Sequence, residues 1–130
     1  MQEKDPFTES VIGAAIEVHR HMGPGLLESV YQNCMEAELR LRGIAFEQLY
    51  RVPLSYKGEP VGDNLVIDLL FPGRLVVELK AVEKLIPVHE AQLLTYLRLS
   101  KVRVGLIINF NVPILVHGVK RMVLGPIPCS

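Results

Sequence analysis

A mixed α/β (α+β) domain, with a central mixed β-sheet flanked by helices, is what this sequence predicts. Three observations predict it. The chain has 130 residues, 49% of them hydrophobic, which suits a single domain over 1–130 with a buried core. Its apolar residues recur with helical spacing in three segments and with strand alternation in five, in the order α-α-β-β-β-α-β-β. The run Val102 to Asn109 is nearly all apolar, the pattern of a strand covered on both faces. A sheet with helices packed on it accommodates all three.

The first helix is expected from Thr8 to Met22. Thr8 or Ser10 can cap it, and Val11, Ala14, Ala15 and Val18 form its apolar stripe. His19 and His21 fall in its last turn, where positive charge suits the helix dipole, and are expected as surface or helix-C-terminal residues rather than metal ligands. Gly23-Pro24-Gly25 stops it. A second helix is expected from Leu26 to Arg42, with Glu28 in its first turn, Tyr31 and Gln32 one turn on, and Gly43 as its end. Strands follow over 45–56, 61–71 and 74–81. They are separated by turns at Lys57-Gly58-Glu59-Pro60 and Pro72-Gly73, and together they make an antiparallel meander. In the second strand Leu65, Ile67, Leu69 and Phe71 should share one face, and Val66, Asp68 and Leu70 the other. Pro87 to Ser100 reads as a third helix with proline near its start. His89, Gln92 and Tyr96 share one of its faces, with His89 at most a border residue of any site there. The strand 102–109 and a last strand over 114–122 complete the order.

Composition excludes several classes. Lys plus Arg equals Asp plus Glu at 14 each, so net charge offers no evidence for a nucleic-acid partner, though a local patch would suffice. Two cysteines, Cys34 and Cys129, make neither a disulfide framework nor a zinc spacing, and a reducing cytoplasmic setting is expected. Cys34 reads as core filler. No apolar run is long enough to span a bilayer, and the polar start Met1 to Pro6 has no signal-peptide core. Gly23-x-Gly25 lacks the third glycine and the preceding strand of a dinucleotide fingerprint.

The anomaly is the strand Arg74-Leu-Val-Val-Glu78-Leu-Lys80-Ala81. Val76, Glu78 and Lys80 fall on one face, and Val77, Leu79 and Ala81 on the other. A carboxylate and an ammonium in an apolar run carry a desolvation cost that asks for a reason. An ordinary ion pair on a solvated face is one reason. The other is chemical. Asp68 is the only charge between Leu65 and Phe71, on the preceding strand. If Asp68 and Glu78 share a face, they form a two-carboxylate cradle suited to Mg²⁺, with the Lys80 ammonium beside it. Register decides this. A two-residue turn at Pro72-Gly73 would set the two carboxylates on opposite faces. An odd loop, such as a bulge at Gly73, would pair Asp68 with Val76 and bring Asp68, Glu78 and Lys80 together.

These residues carry a resemblance. Asp68 followed by Glu78-Leu-Lys80 resembles the D…(D/E)-x-K core of the PD-(D/E)XK nuclease superfamily. Gly25-Leu-Leu-Glu28-Ser-Val-Tyr31 is similar to the signature of its GxxExxY subgroup, and Gln92-Leu-Leu-Thr-Tyr96 to the Q-x-x-x-Y motif of its RecB-like members. Ile67 stands where the superfamily name has proline. The resemblance spans about Val11 to Arg121 and implies a restriction-endonuclease-like core. It implies a divalent metal, Mg²⁺ or Mn²⁺, held by Asp68, Glu78, the backbone carbonyl of Leu79 and, as an additional carboxylate, Glu28. It further implies that Lys80 positions the attacking water and that Gln92 completes the catalytic set. Tyr96, Tyr31 and Arg98 would border or bind the substrate, which would be DNA or RNA.

Two functions follow. One is a small metal-dependent nuclease, with Arg98, Lys101, Arg103, Lys120 and Arg121 as candidates for meeting phosphates. The other is a nuclease-like fold that binds nucleic acid or assembles with a partner without turnover. A nuclease this small must build its substrate groove from somewhere, and a homodimer is one way to do so.

Overall fold

The computed structural model describes residues 5–125. Cys129 and the polar residues 1–4 lie outside the described residues. The element order matches the expected one: α1 (Pro6–Met22), α2 (Glu28–Leu41), β1 (Glu47–Tyr56), β2 (Glu59–Phe71), β3 (Leu75–Lys80), α3 (Pro87–Ser100), β4 (Val104–Asn109) and β5 (Val119–Val123). The segment expected as a strand from Ile114 begins instead as a 3₁₀ turn, Leu115–Gly118. Helix α1 is capped by Asp5 rather than by Thr8 or Ser10: its carboxylate accepts from the N–H of Phe7 and Thr8 at 3.4 and 3.2 Å. Pro6 at the first helical position loses nothing by lacking an N–H there.

The five strands form one sheet in the order β1-β2-β3-β4-β5. All neighbours are antiparallel except β3 and β4, which run parallel with α3 as their crossover. Helices α1 and α2 cover one face. There Val11, Ala14, Val18, Tyr31, Met35 and Leu39 pack on Leu69, Phe71, Val77, Leu79, Leu106 and Ile108. Helix α3 covers the other, with Leu93, Tyr96 and Leu97 on Ile67, Leu70, Val76 and Ile107. Strand β4 is buried from Gly105 to Asn109, as its unbroken apolar run requires.

The meander register resolves the anomalous strand. Phe71 pairs with Leu75, Leu70 with Val76 and Leu69 with Val77, so Pro72, Gly73 and Arg74 form an odd loop. Gly73 takes φ +72°, a conformation open to glycine at no steric cost. The odd loop was expected, but the pairing of Asp68 with Val76 was not met. Val76 faces Leu70, and the same register sets Asp68 opposite Glu78.

Two other expectations are corrected. Ile67 and Leu65 do not share a face with Leu69 and Phe71; they pack on the α3 side. The alternation of β2 slips at Asp68, across from Leu49, whose φ of +47° is a left-handed conformation unusual for leucine. His19 is buried rather than superficial, because its Nε2 meets the carbonyl of Val112 at 2.7 Å.

Candidate active site

Asp68 and Glu78 meet across the β2–β3 hairpin, on the face toward α3. The N–H of Asp68 donates to Glu78 Oε1 at 3.3 Å, and the N–H of Leu79 donates to Asp68 Oδ2 at 2.8 Å. Each carboxylate therefore accepts an amide proton from the strand opposite its own. Glu78 is 5% exposed and Asp68 half-buried, so neither is an ion pair on a solvated face.

This enclosure sets their protonation. Burial, reinforced by the charge of Asp68, pushes Glu78 up from 4.5 to about 9. Burial also raises Asp68 from 3.8 to about 6, with the Glu28 charge adding to it, while the Leu79 amide and Lys80 pull the other way. Two carboxylates forced together in low dielectric favour a shared proton or a cation between them.

Lys80 is half-buried at the C-terminal end of β3, and its Nζ donates to Gln92 Oε1 at 3.4 Å. Gln92 reaches it from the second turn of α3. It also engages the Tyr96 hydroxyl, whose pKa is raised by burial and then by the charges of Glu78 and Asp68. The i, i+4 spacing of Gln92 and Tyr96 thus works as a brace from helix to lysine. His89 does not reach into this group. Its Nδ1 accepts from the N–H of Ile86 at 3.2 Å and caps α3.

Five expected residues occupy other places than a substrate or metal contact would require. Tyr31 is fully buried: it stacks on Phe110 at 4.5 Å, and its hydroxyl donates to the carbonyl of Gly23 at 2.6 Å. It positions the Gly23–Leu26 turn and offers nothing outward. Tyr96 is 4% exposed and packs in the core, so it acts through Gln92. Glu28 is exposed on the first turn of α2; its charge reaches both carboxylates, yet it does not join them in a ligating cluster. Lys120 instead pairs with Glu90 at 3.8 Å, and Arg103 bonds the carbonyl of Leu124 at 3.3 Å. Arg98 and Lys101 remain exposed at the end of α3.

Two supports carry no sequence motif. Asn109 clamps the segment that leaves Lys80, donating to the carbonyl of Val82 at 2.9 Å and accepting its N–H at 3.1 Å. Gln32 Nε2 donates to the carbonyl of Asp68 at 2.9 Å. The only hint of either in the sequence is a polar residue at an apolar position.

Among the described residues no group of three or more His, Cys, Asp or Glu stands in metal-ligating geometry. A buried and a half-buried carboxylate facing each other are nonetheless a fit for a hard divalent cation. Mg²⁺ is usually held by one or two carboxylates, with waters and substrate oxygens completing its shell. No helix among the described residues is long and apolar enough to cross a membrane.

A comparison with protein families finds one that fits: the PD-(D/E)XK nuclease superfamily, whose sequence model matches residues 5–122. No curated protein and no solved structure matches the chain.

Proposed function

Because the chain belongs to the PD-(D/E)XK nuclease superfamily, we propose that it is a metal-dependent nuclease hydrolysing phosphodiester bonds of DNA or RNA. The observation that carries this is the placement of Asp68 and Glu78 across from one another, Glu78 buried and Asp68 half-buried, with Lys80 on the same face. Asp68, Glu78 and the Leu79 carbonyl would hold Mg²⁺ or Mn²⁺, and exposed Glu28 could reach it only through water. The bound cation supplies Lewis-acid polarisation of the scissile phosphate and a more acidic water. Lys80, fixed by Gln92, orients the attacking water and balances charge on the phosphate oxygens. Gly25, Glu28 and Tyr31 also favour the GxxExxY subgroup, with Tyr31 in a positioning role. Arg98 and Lys101 border the substrate path, and a second copy of the chain would extend it.

Calorimetry with Mg²⁺ and Mn²⁺ separates this from a binding module without turnover. The nuclease reading expects divalent binding that Asp68→Ala abolishes. Nucleic-acid binding that needs no metal and survives Lys80→Ala points instead to the module.

A further inference from the structure

The backbone of Asp68 is held from outside the sheet. Gln48 pairs with Leu69 and Tyr50 with Ile67, which leaves Leu49 across from Asp68, and Leu49 is turned to φ +47°. The carbonyl of Asp68 accepts from Gln32 Nε2, at 2.9 Å, from helix α2. The same Nε2 donates to Glu36 Oε2 at 2.7 Å, one helical turn on. Gln32 and Glu36 are each 7% exposed.

A polar pair in the buried face of a helix needs its partners. The partners here decide the orientation of the amide. Both groups facing Nε2 are acceptors, so only the NH₂ end of Gln32 satisfies them. Glu36 therefore fixes which way the amide points, and the amide fixes the carbonyl of Asp68. This is the position at which the alternation of β2 slips, leaving Ile67 and Leu70 in the same cluster. The slip sets the direction of the Asp68 side chain, whose Oδ2 takes the N–H of Leu79.

We infer that Gln32, oriented by Glu36, is a positioning residue that holds the kinked backbone of β2 so that the Asp68 carboxylate faces Glu78. The inference deepens the proposed metal site and rests on it for its functional consequence. Its structural content stands on the hydrogen bonds alone. Gln32 acts through the carbonyl of Asp68.

The test uses the full chain and Gln32→Met, which keeps the length of the side chain and removes both donors. The first readout is amide hydrogen exchange without metal. The Leu79 amide should exchange at least ~10-fold faster in Gln32→Met, while Leu106 and Ile108 in β4 are unchanged. The second is Mn²⁺ affinity by calorimetry, expected to fall ~10-fold, the lower end of what loss of an outer-shell partner does at metal sites. An unchanged Leu79 amide, or equal acceleration at every amide, overturns the inference, since plain destabilisation is not position-specific. If the wild-type chain binds no Mn²⁺, the nuclease reading fails while the exchange data still decide the role of Gln32. Should Gln32→Met not fold, Gln32→Asn, which keeps the amide and shortens its reach, carries the same two readouts.

Discussion

Lys80 is the cation that both acidic residues feel, and its charge opposes the burial that raises them. Removing it leaves the carboxylates without that help and, on the proposed mechanism, the site without the group that orients water. Lys80→Ala is therefore expected to lower cleavage by ~10²–10³-fold, the scale of losing one electrostatic group from a preorganised site. Cleavage rates at fixed Mg²⁺ check this, and Gln92→Ala should give a smaller loss because it only braces the lysine. Protonation makes a second prediction. In the folded chain Asp68 and Glu78 hold their protons more tightly than in the unfolded one, with pKa values near 6 and 9 against 3.8 and 4.5. Their contribution to stability is thus fully present below about pH 4 and fades as pH rises through about 6 and then about 9. In chelator, the melting temperature of wild type should fall over this window, and Glu78→Gln should flatten the upper part of the fall. A divalent cation competes with these protons, so its affinity should climb with pH over the same range. A thermal-shift series with and without Mg²⁺ reads both effects.

The elements place these residues through backbone conformation at two glycines. Gly73 at φ +72° sets the odd loop that puts Asp68 and Glu78 on one face. Gly73→Val is expected to cost about 1–2 kcal/mol in chemical denaturation, the strain of a side chain in the left-handed region. Gly118 is constrained differently. A Cβ there would overlap the carbonyl oxygen of Asn109, which is backbone and has no room to yield. Gly118→Ala should cost at least about 3 kcal/mol, the upper end of overpacking, and urea unfolding measures it. Much of this level was legible in the sequence. Helix α3 was bounded to the residue because Pro87 starts it, and its left-handed cap at Lys101 lies just past Ser100. The parity of the meander followed from asking that Asp68 and Glu78 share a face. The pairing partner did not, because parity is unchanged by a shift of two residues. The slip in β2 was also hidden: it coincides with the contact between Gln32 and Asp68, 36 residues apart, and with a leucine in a conformation its residue type does not announce. The burial of Tyr31 is not legible in its motif, which tells which residues belong together, not which way they point.

At the scale of the molecule, the parallel pair β3–β4 brings the end of the acidic strand beside Asn109, and the sheet separates two apolar layers. Helix α2 on one side and α3 on the other then converge on this patch, through the bond of Gln32 to the Asp68 carbonyl and that of Lys80 to Gln92. The arrangement explains why residues scattered from Gln32 to Asn109 serve one small patch. The proposed site is a local cluster, and a neutral net charge is compatible with one. On the proposed function, this cluster cuts nucleic acid with the help of a divalent metal. The direct measurement is cleavage of end-labelled single- and double-stranded DNA and RNA by the purified chain, with Mg²⁺, Mn²⁺ or chelator, alongside Asp68→Asn. Metal-dependent cleavage of at least one substrate, absent in chelator and in Asp68→Asn, is the predicted result. Intact substrates under every condition, or cleavage that Asp68→Asn retains, would contradict it.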